Sequence, residues 1–183
     1  MTDEIVTDRL ELRRWRADDL EPLATMNADP EVMRFFPSTM TFDQSRSMLE
    51  RFEAHFDRRG FGLWVVVVDG RFAGFTGLNS PTLATPMGEH VEVGWRLARW
   101  AWGYGYASEA AVASLRDGFE VHGLRQVYAY TTRTNAPSEA VMRRIGMRRR
   151  EDLDFDHPAT PLWWGEAHIV YEVTADQWSS PRS

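Results

Sequence analysis

A two-glycine turn between a strand-like and a helix-like segment constrains this chain most. His90 to Leu97 has the composition of a strand, and Ala107 to His122 is an alanine-rich segment that favours a helix. Gly103 and Gly105 lie between them, where the absence of a Cβ allows positive φ angles. Such a turn directs successive N–H groups into one concavity, and the start of the helix adds free donors and a positive dipole end. The arrangement predicts an anion site that suits a phosphate or pyrophosphate.

Two nucleotide-binding motifs share such glycines, and both are disfavoured here. A dinucleotide-binding turn has the pattern Gly-x-Gly-x-x-Gly, but Ser108 stands where its third glycine belongs. A P-loop ends in Gly-Lys-Ser/Thr, and the chain contains no lysine. The turn therefore indicates a phosphate site of another class of protein.

The turn and two further segments resemble one known superfamily. Residues 102–107, Trp-Gly-Tyr-Gly-Tyr-Ala, are similar to the Gln/Arg-x-x-Gly-x-Gly/Ala motif of the GNAT superfamily of N-acetyltransferases, and the form that begins with Trp looks most like its RimJ/RimL-like branch. Residues 135–147 resemble the family segment Asn-x-x-Ser-x-x-Val-x-x-x-x-Gly-Phe. Residues 7–13 resemble the opening strand Thr-x-Arg-Leu-x-Leu-Arg of the same branch. The resemblance covers nearly the full chain, with its motifs in the expected order.

This resemblance implies both a fold and an activity. The fold is α/β, with a single mixed central sheet of about six to seven strands, a splayed parallel pair in its middle and about four flanking helices. The activity is transfer of an acetyl group from acetyl-CoA to a primary amine, either a protein N-terminal α-amine or a small-molecule amine, by direct attack in a ternary complex. The alternative is a catalytically idle acyl-CoA-binding sensor or interaction module that uses the same turn.

Periodicity and composition agree with one globular domain spanning residues 1–183. Strand-like segments at 63–68 and 71–78 flank Asp69-Gly70, which favours a type I′ hairpin turn, and Thr41 with Gln44 forms a capping box. The net charge of −6 argues against nucleic acid as a partner. The chain has no cysteine and no apolar run long enough to cross a bilayer. We expect a cytoplasmic protein, a monomer or homodimer, without a membrane or metal partner.

The resemblance implies a set of residues that bind acetyl-CoA. Amides of the turn would bind the pyrophosphate, while Trp102, where many members have Arg or Gln, removes one charged contact. The residues assigned to the cofactor are Trp95, Leu97, Trp102, Gly103, Tyr104, Gly105, Tyr106, Ala107, Ser108, Asn135 and Ser138. An arginine cluster at residues 143–150 is either a solvated helix end or a contact for a cofactor phosphate or an acidic substrate.

The general base is assigned to one of two glutamates before the turn. Glu89 and Glu92 are three residues apart, so they face opposite sides of an ideal strand unless a bulge realigns them. Glu92 is slightly favoured, because the resembling branch usually carries an acid there, while Glu89 fits the base of the histone-acetylating members. Either one can instead be a surface strand residue, and a bound water can relay the proton. A hydrolase built on this carboxylate pair is a weaker alternative.

Other catalytic parts are assigned near the splayed strands. Backbone amides from Val93 to Trp95 are the expected oxyanion donors, because a splayed strand leaves N–H groups unpaired. Many family members protonate the thiolate with a Tyr after the position of Asn135, and this chain has none between Asn135 and Tyr171. Ser138 is the replacement candidate, although Asn135 and Ser138 are also typical residues of a helix start.

The acceptor site is the least defined part of the sequence. Phe35, Phe36, Trp163 and Trp164 can line an apolar mouth, although aromatic residues are more often part of a core. Residues 154–158 resemble a segment near the acceptor site in part of the branch. His157 and His168 lack a metal-ligand spacing and are expected to be structural.

Overall fold

A computed structural model of the protein describes residues 4–158, 165 and 167–178. The strands are β1 (Glu4–Val6), β2 (Glu11–Arg13), β3 (Leu63–Val68), β4 (Arg71–Asn79), β5 (Glu92–Leu97), β6 (Gln126–Thr132), β7 (Arg148–Arg149), β8 (Phe155–Asp156) and β9 (Ala167–Thr174). The helices are α1 (Leu20–Ala28), α2 (Phe42–Arg59), α3 (Tyr106–Glu120) and α4 (Ala136–Arg144). Within these ranges no helix combines the length and the apolar composition needed to cross a membrane.

The strands form one mixed sheet, as predicted. Its order is β1-β2-β3-β4-β5-β6-β9-β7, and β8 pairs with β9. The pairing of β5 with β6 is parallel, and each of the other pairings in the described sheet is antiparallel. The sheet has nine strands rather than the six to seven expected, because short segments such as β7 and β8, with two residues each, add to its edge. Segments this short carry no periodicity that a sequence pattern can show.

Local signals in the first half of the chain predict its turns and caps correctly. Asp69 and Gly70 have φ angles of 49° and 76°, as a type I′ hairpin turn requires. The Thr41 hydroxyl accepts from the Gln44 amide at 3.2 Å, and the Gln44 side chain accepts from the Thr41 amide at 2.7 Å. This capping box begins α2, and Gly60 ends it in the left-handed conformation. Short-range chemistry therefore determines these boundaries.

Two pairs of helices cover opposite faces of the sheet. Phe52 of α2 contacts Phe75 of β4, with ring centroids 5.2 Å apart. Leu78 points the other way from Phe75 along the strand, and a Cβ at Gly118 of α3 would lie 2.6 Å from its Cδ1 atom. Met142 of α4 belongs to the same buried cluster as Leu78. Thus α1 and α2 lie on one face, and α3 and α4 lie on the other.

A matched pair of glycines on neighbouring strands tests this packing. Gly77 of β4 lies opposite Gly94 of β5. A Cβ at Gly77 would lie 2.1 Å from the Gly62 carbonyl oxygen, and φ there is 146°, whereas a Cβ at Gly94 would meet Leu63 Cδ2 at 4.0 Å. We expect Gly77→Ala to lower the free energy of unfolding by about 2–4 kcal/mol. Gly94→Ala should leave it unchanged or slightly raised.

Urea denaturation of both variants measures the difference. Equal midpoints for the two variants would show that the close approach of β3 and β4 at Gly77 is not a tight constraint.

Candidate functional site

A cavity of about 900 Å³ opens where β5 and β6 separate. In the described structure these strands pair through one register position, Glu92 with Tyr128, while β5 stays paired with β4 as far as Leu97. The strands therefore diverge beyond Glu92. The cavity walls come from the segment between α1 and α2, from β5, the glycine turn and β6, from the first turn of α3 and from the length of α4, with one or two residues each of α2, β3, β4 and β9 adding to them.

Most of the residues that the sequence assigns to the cofactor meet on this cavity. Those lining it are Trp95, Leu97, Trp102, Gly103, Gly105, Tyr106, Ala107, Ser108, Asn135 and Ser138. Tyr104 does not line it: its side chain is exposed and stacks on Tyr106, with ring centroids 5.5 Å apart. Phe35 and Phe36 also lie on the wall, whereas Trp163 and Trp164 fall outside the described residues.

The glycine turn presents a row of backbone donors. Gly103 and Gly105 have φ angles of 83° and 82°, in the left-handed region that glycine adopts without strain. Among the described residues, no backbone or side-chain acceptor is bonded to the amides of residues 103–108. Arg144 of α4 reaches the same place and donates from Nη1 to the Ser108 hydroxyl at 3.1 Å. The turn therefore fits a pyrophosphate, with backbone donors, a helix start and one cation.

The N-terminal motif holds this turn from outside, which sequence reasoning missed. Glu109, in the first turn of α3, accepts from the Thr7 hydroxyl at 2.6 Å and from Arg9 Nε at 2.7 Å. Arg9 also donates from Nη1 to the Tyr104 carbonyl at 2.9 Å. These charge-assisted bonds join β1–β2 to the glycine turn across about a hundred residues of sequence. The motif at residues 7–13 is the signal from which the contact could have been inferred.

The two candidate bases have different surroundings. Glu92 begins β5, lines the cavity and accepts from the Asn79 side-chain amide at 2.9 Å. Glu89 is exposed in the loop before β5 and does not line the cavity. The strand was expected to begin at His90 but begins at Glu92, so the alternation argument does not extend to Glu89.

Tyr130 of β6 is a further residue that sequence reasoning missed. It lines the cavity beside Glu92, and burial together with the Glu92 carboxylate raises its pKa. The phenol therefore stays protonated at neutral pH and can hold a hydrogen bond to Glu92. No local motif marks Tyr130, because the contact depends on how β5 and β6 are placed in the sheet.

Backbone geometry narrows the predicted oxyanion donors to one side of β5. The Ala98 amide donates to the Ala73 carbonyl at 2.9 Å, so the amides of residues 92, 94 and 96 also point toward β4. In the antiparallel register the amides of Val93 and Trp95 then point away from β4, toward β6. In the parallel pairing of Glu92 with Tyr128, the Val93 amide bonds to β6. The Trp95 amide has no strand partner within the described sheet and is available to a ligand.

The helix α4 places Asn135 and Ser138 differently. Asn135 is the N-cap, accepts from the Ser138 amide at 3.3 Å and donates from Nδ2 to the Thr131 hydroxyl at 2.9 Å. Asn135 therefore has the capping role that the sequence allowed for both residues. Ser138 is half-buried on the cavity wall, where its hydroxyl is not needed as a cap.

The arginine cluster and the two histidines divide between roles. Arg143, Arg149 and Arg150 form ion pairs, with Glu139, Asp154 and Glu172 respectively. Arg144 is the member of the cluster that lines the cavity. His157 and His168 lie on the cavity wall with ring centroids 4.9 Å apart, and burial together with His168 lowers the pKa of His157. His157 therefore stays neutral at physiological pH.

Most of the chain matches one known protein family. Residues 9–148 match the family described as the acetyltransferase (GNAT) domain. The chain belongs to the GNAT acetyltransferase family. It is therefore an enzyme of the acetyltransferase class, and GNAT acetyltransferases use acetyl-CoA.

Individual proteins show the same likeness over most of their length. The chain is 30% identical over 179 residues to the FsC-acetyl coenzyme A-N(2)-transacetylase of Aspergillus fumigatus, which covers 94% of this chain and 76% of that protein. A GNAT-family acetyltransferase of Bacillus anthracis matches with a TM-score of 0.77 and 27% identity, covering 94% of this chain and 99% of its own. RimL, a ribosomal L7/L12 alpha-N-protein acetyltransferase solved with coenzyme A, shares the fold, with a TM-score of 0.76 at 16% identity and coverages of 94% and 98%.

The contact between Glu109 and the N-terminal motif predicts an effect on cofactor affinity in this GNAT protein. Glu109→Gln removes the carboxylate charge to which Arg9 and Thr7 bond, so the contact between the N-terminal motif and the glycine turn is weakened. We expect coenzyme A affinity to fall by about tenfold, equivalent to about 1.4 kcal/mol, as measured by calorimetry.

The control is Glu120→Gln at the exposed end of the same helix, which should keep the affinity of the natural protein. Unchanged affinity in Glu109→Gln would show that the turn keeps its shape without this contact.

Proposed function

We propose that this protein transfers an acetyl group from acetyl-CoA to a primary amine, either a protein N-terminal α-amine or a small-molecule amine. One observation carries the proposal: a single cavity connects the unbonded amides of the glycine turn with the Glu92 carboxylate, across the point where β5 and β6 separate. A phosphate site and a base in one cavity are what transfer from a nucleotide-linked thioester to an amine requires.

The glycine turn and the start of α4 supply the proposed cofactor contacts. The amides of residues 103–108 and Arg144 would bind the pyrophosphate, and Asn135, on the wall of the same cavity, would contact the pantetheine arm between the strands. When bound, acetyl-CoA supplies an activated acyl carbon and a thiol leaving group. The protein itself contributes orientation and a cation at the phosphate end.

Glu92 is the proposed base. The amine must lose a proton as its nitrogen bonds to the acyl carbon, and Glu92 accepts that proton directly or through a water. Asn79 and Tyr130 orient the carboxylate through their contacts with it. An α-amine has a pKa near 7.7–8.0 against about 10.4 for lysine, so deprotonating lysine at neutral pH costs about 3 kcal/mol more. A single carboxylate is better matched to the easier amine.

Two further groups complete the reaction. The Trp95 amide is placed to donate to the oxygen on which negative charge develops. As the C–N bond forms and the C–S bond breaks, Ser138, which lines the cavity, would relay a proton from solvent water to the thiolate and keep its own hydroxyl. Transfer to nitrogen is supported by the resemblance to a branch whose acceptors are amines and by the printed name of the fungal relative, an N(2)-transacetylase.

We also propose that the chain belongs to the RimJ/RimL-like branch, because of the motifs at residues 7–13, 102–107 and 135–147, and that it acts in the cytoplasm.

Release of free thiol from acetyl-CoA in the presence of a panel of N-terminal peptides, amino acids and polyamines tests the function. We expect amine-dependent thiol release, and Gly105→Val should abolish it because valine cannot easily adopt the positive φ that the turn needs. Tight binding of acetyl-CoA without amine-dependent release from any acceptor would support the sensor alternative instead.

Glu92→Gln should reduce kcat/KM most strongly at neutral pH. The loss should shrink at alkaline pH, because a larger fraction of the acceptor amine is then neutral without help. A pH profile of initial rates from pH 7 to 9.5 measures this.

Glu89→Gln is the matched control and should keep the profile of the natural protein, since Glu89 is exposed outside the cavity. The reverse pattern would move the base to Glu89, and two unaffected variants would leave water or another group as the base.

A further inference from the structure

Arg96 places a positive charge on the cavity wall without a negative partner in the part of the chain that the structure describes. It lines the wall on β5, and its guanidinium lies 4.2 Å from the ring centre of Phe36 and 5.3 Å from that of Phe75. Its Nη1 donates to the Asn27 side-chain oxygen at 2.7 Å, and Nε is buried without a hydrogen-bond partner in the described structure. No carboxylate among the described residues lies within ion-pair distance of Arg96, although Arg13, Arg14 and Arg34 each have one.

This arrangement is costly unless a ligand completes it. A partly buried cation is stable when it is paired and its donors are satisfied. A bond to a neutral amide, a long contact with the Met40 sulfur at 3.9 Å and two aromatic rings replace little of the lost hydration. Burial lowers the pKa of Arg96 to about 10, so the group still carries its charge at neutral pH. The residue lines a cavity that is open to ligands. An anionic ligand in the cavity would supply the partner that the described residues do not.

The cofactor does not supply that anion. The proposed phosphate contacts are the glycine turn at the start of α3 and Arg144 at the end of α4, and both helices pack on the opposite face of the sheet from α1 and α2. Arg96 lies on the α1–α2 face, as its contacts with Asn27 and Phe75 show. The pantetheine arm that would join these regions carries no charge. The anion must therefore come with the other substrate.

The spacing along β5 places that substrate. Positions 92, 94 and 96 are each two residues apart, so they lie on the same face of β5. The Cα atoms of Glu92 and Arg96 are about 13 Å apart along the strand. Gly94 lies between them with no side chain, and its missing Cβ would meet one methyl group, at 4.0 Å. A base, a gap and a cation thus follow one another along a cavity wall. An acceptor with an amine at one end and an anion at the other, of amino-acid to dipeptide size, matches this order.

We propose that Arg96 binds a carboxylate of the acceptor, so that the substrate is an amine that carries a carboxylate, either a free amino acid or an acidic N-terminal peptide. This inference rests on the proposed acetyl transfer. The planar guanidinium binds a carboxylate through paired hydrogen bonds, which also orient the amine toward the base. Arg96 is a specificity residue in this scheme, with no part in proton transfer.

The test compares acceptors that differ in the carboxylate alone. 4-Aminobutyrate is paired with 4-aminobutanamide, β-alanine with its amide, and a C-terminally amidated Ser-Glu peptide with the amidated Ser-Gln peptide. We expect kcat/KM of the natural protein to favour the carboxylate member by about 10- to 100-fold in at least one pair. The pair in which the preference lies distinguishes a free amino acid from an acidic peptide.

Three variants test whether the carboxylate preference depends on Arg96. Arg96→Gln should reduce the ratio within a pair by about tenfold or more, and Arg96→Lys should keep part of it because the charge remains. Arg34→Gln removes an exposed charge at the cavity mouth that pairs with Glu31, and should keep the full ratio. The ratio is measured on one preparation, so loss of folded enzyme and differences in amine pKa cancel between variants.

The outcomes separate this inference from the proposed function. Acetylation of amines without any carboxylate preference, or equal loss with both members of a pair in Arg96→Gln, overturns the role of Arg96 alone. Thiol release from no acceptor overturns the acetyl transfer. In that case the thermal shift caused by 4-aminobutyrate in the presence of coenzyme A still decides for Arg96: a shift that Arg96→Gln abolishes supports carboxylate binding, and an unchanged shift overturns it.

Discussion

The separation of β5 from β6 is the constraint on which the rest of this structure depends. Each of these strands is held firmly on its outer side, β5 by β4 over six register positions and β6 by β9 over seven. The single position that they share, Glu92 with Tyr128, joins two well-paired half-sheets. Because the outer ladders absorb the strand hydrogen bonds, the inner edges can part without loss of the fold. That parting creates the cavity and frees the Trp95 amide.

The same constraint explains which parts of the site could be predicted from sequence. The hairpin at Asp69-Gly70, the capping box at Thr41 and the glycine turn each depend on contacts within a few residues, so their chemistry can be read locally. Tyr130 and Arg96 carry no such signal. Their importance comes from neighbours in other segments, Glu92 for the first and Asn27 with Phe36 for the second. Contacts of this kind appear only once the strands and helices are placed.

Strand alternation alone could not distinguish Glu89 from Glu92. Alternation along a strand could say that the two residues face opposite sides, but only if both belong to the strand. The structure begins β5 at Glu92, where the Asn79 amide and the parallel pairing with β6 first hold the chain. Glu89 lies before that point and is exposed. The start of a strand, which depends on its neighbours, therefore determines which glutamate lies on the cavity wall, and periodicity could not show this.

The distribution of charge in the cavity favours direct attack over a covalent acyl-enzyme. A covalent route needs an activated nucleophile, the chain has no cysteine, and in the proposed reaction the Ser138 hydroxyl passes a proton to the thiolate instead. What the cavity holds instead is a cation at each of two ends, Arg144 beside the glycine turn and Arg96 on the α1–α2 face, with the Glu92 carboxylate also on its wall. Cations at separate ends suit two anionic substrates bound at the same time. Holding both in one cavity makes the reaction effectively intramolecular, which is the advantage that a shared site offers over two sequential half-reactions.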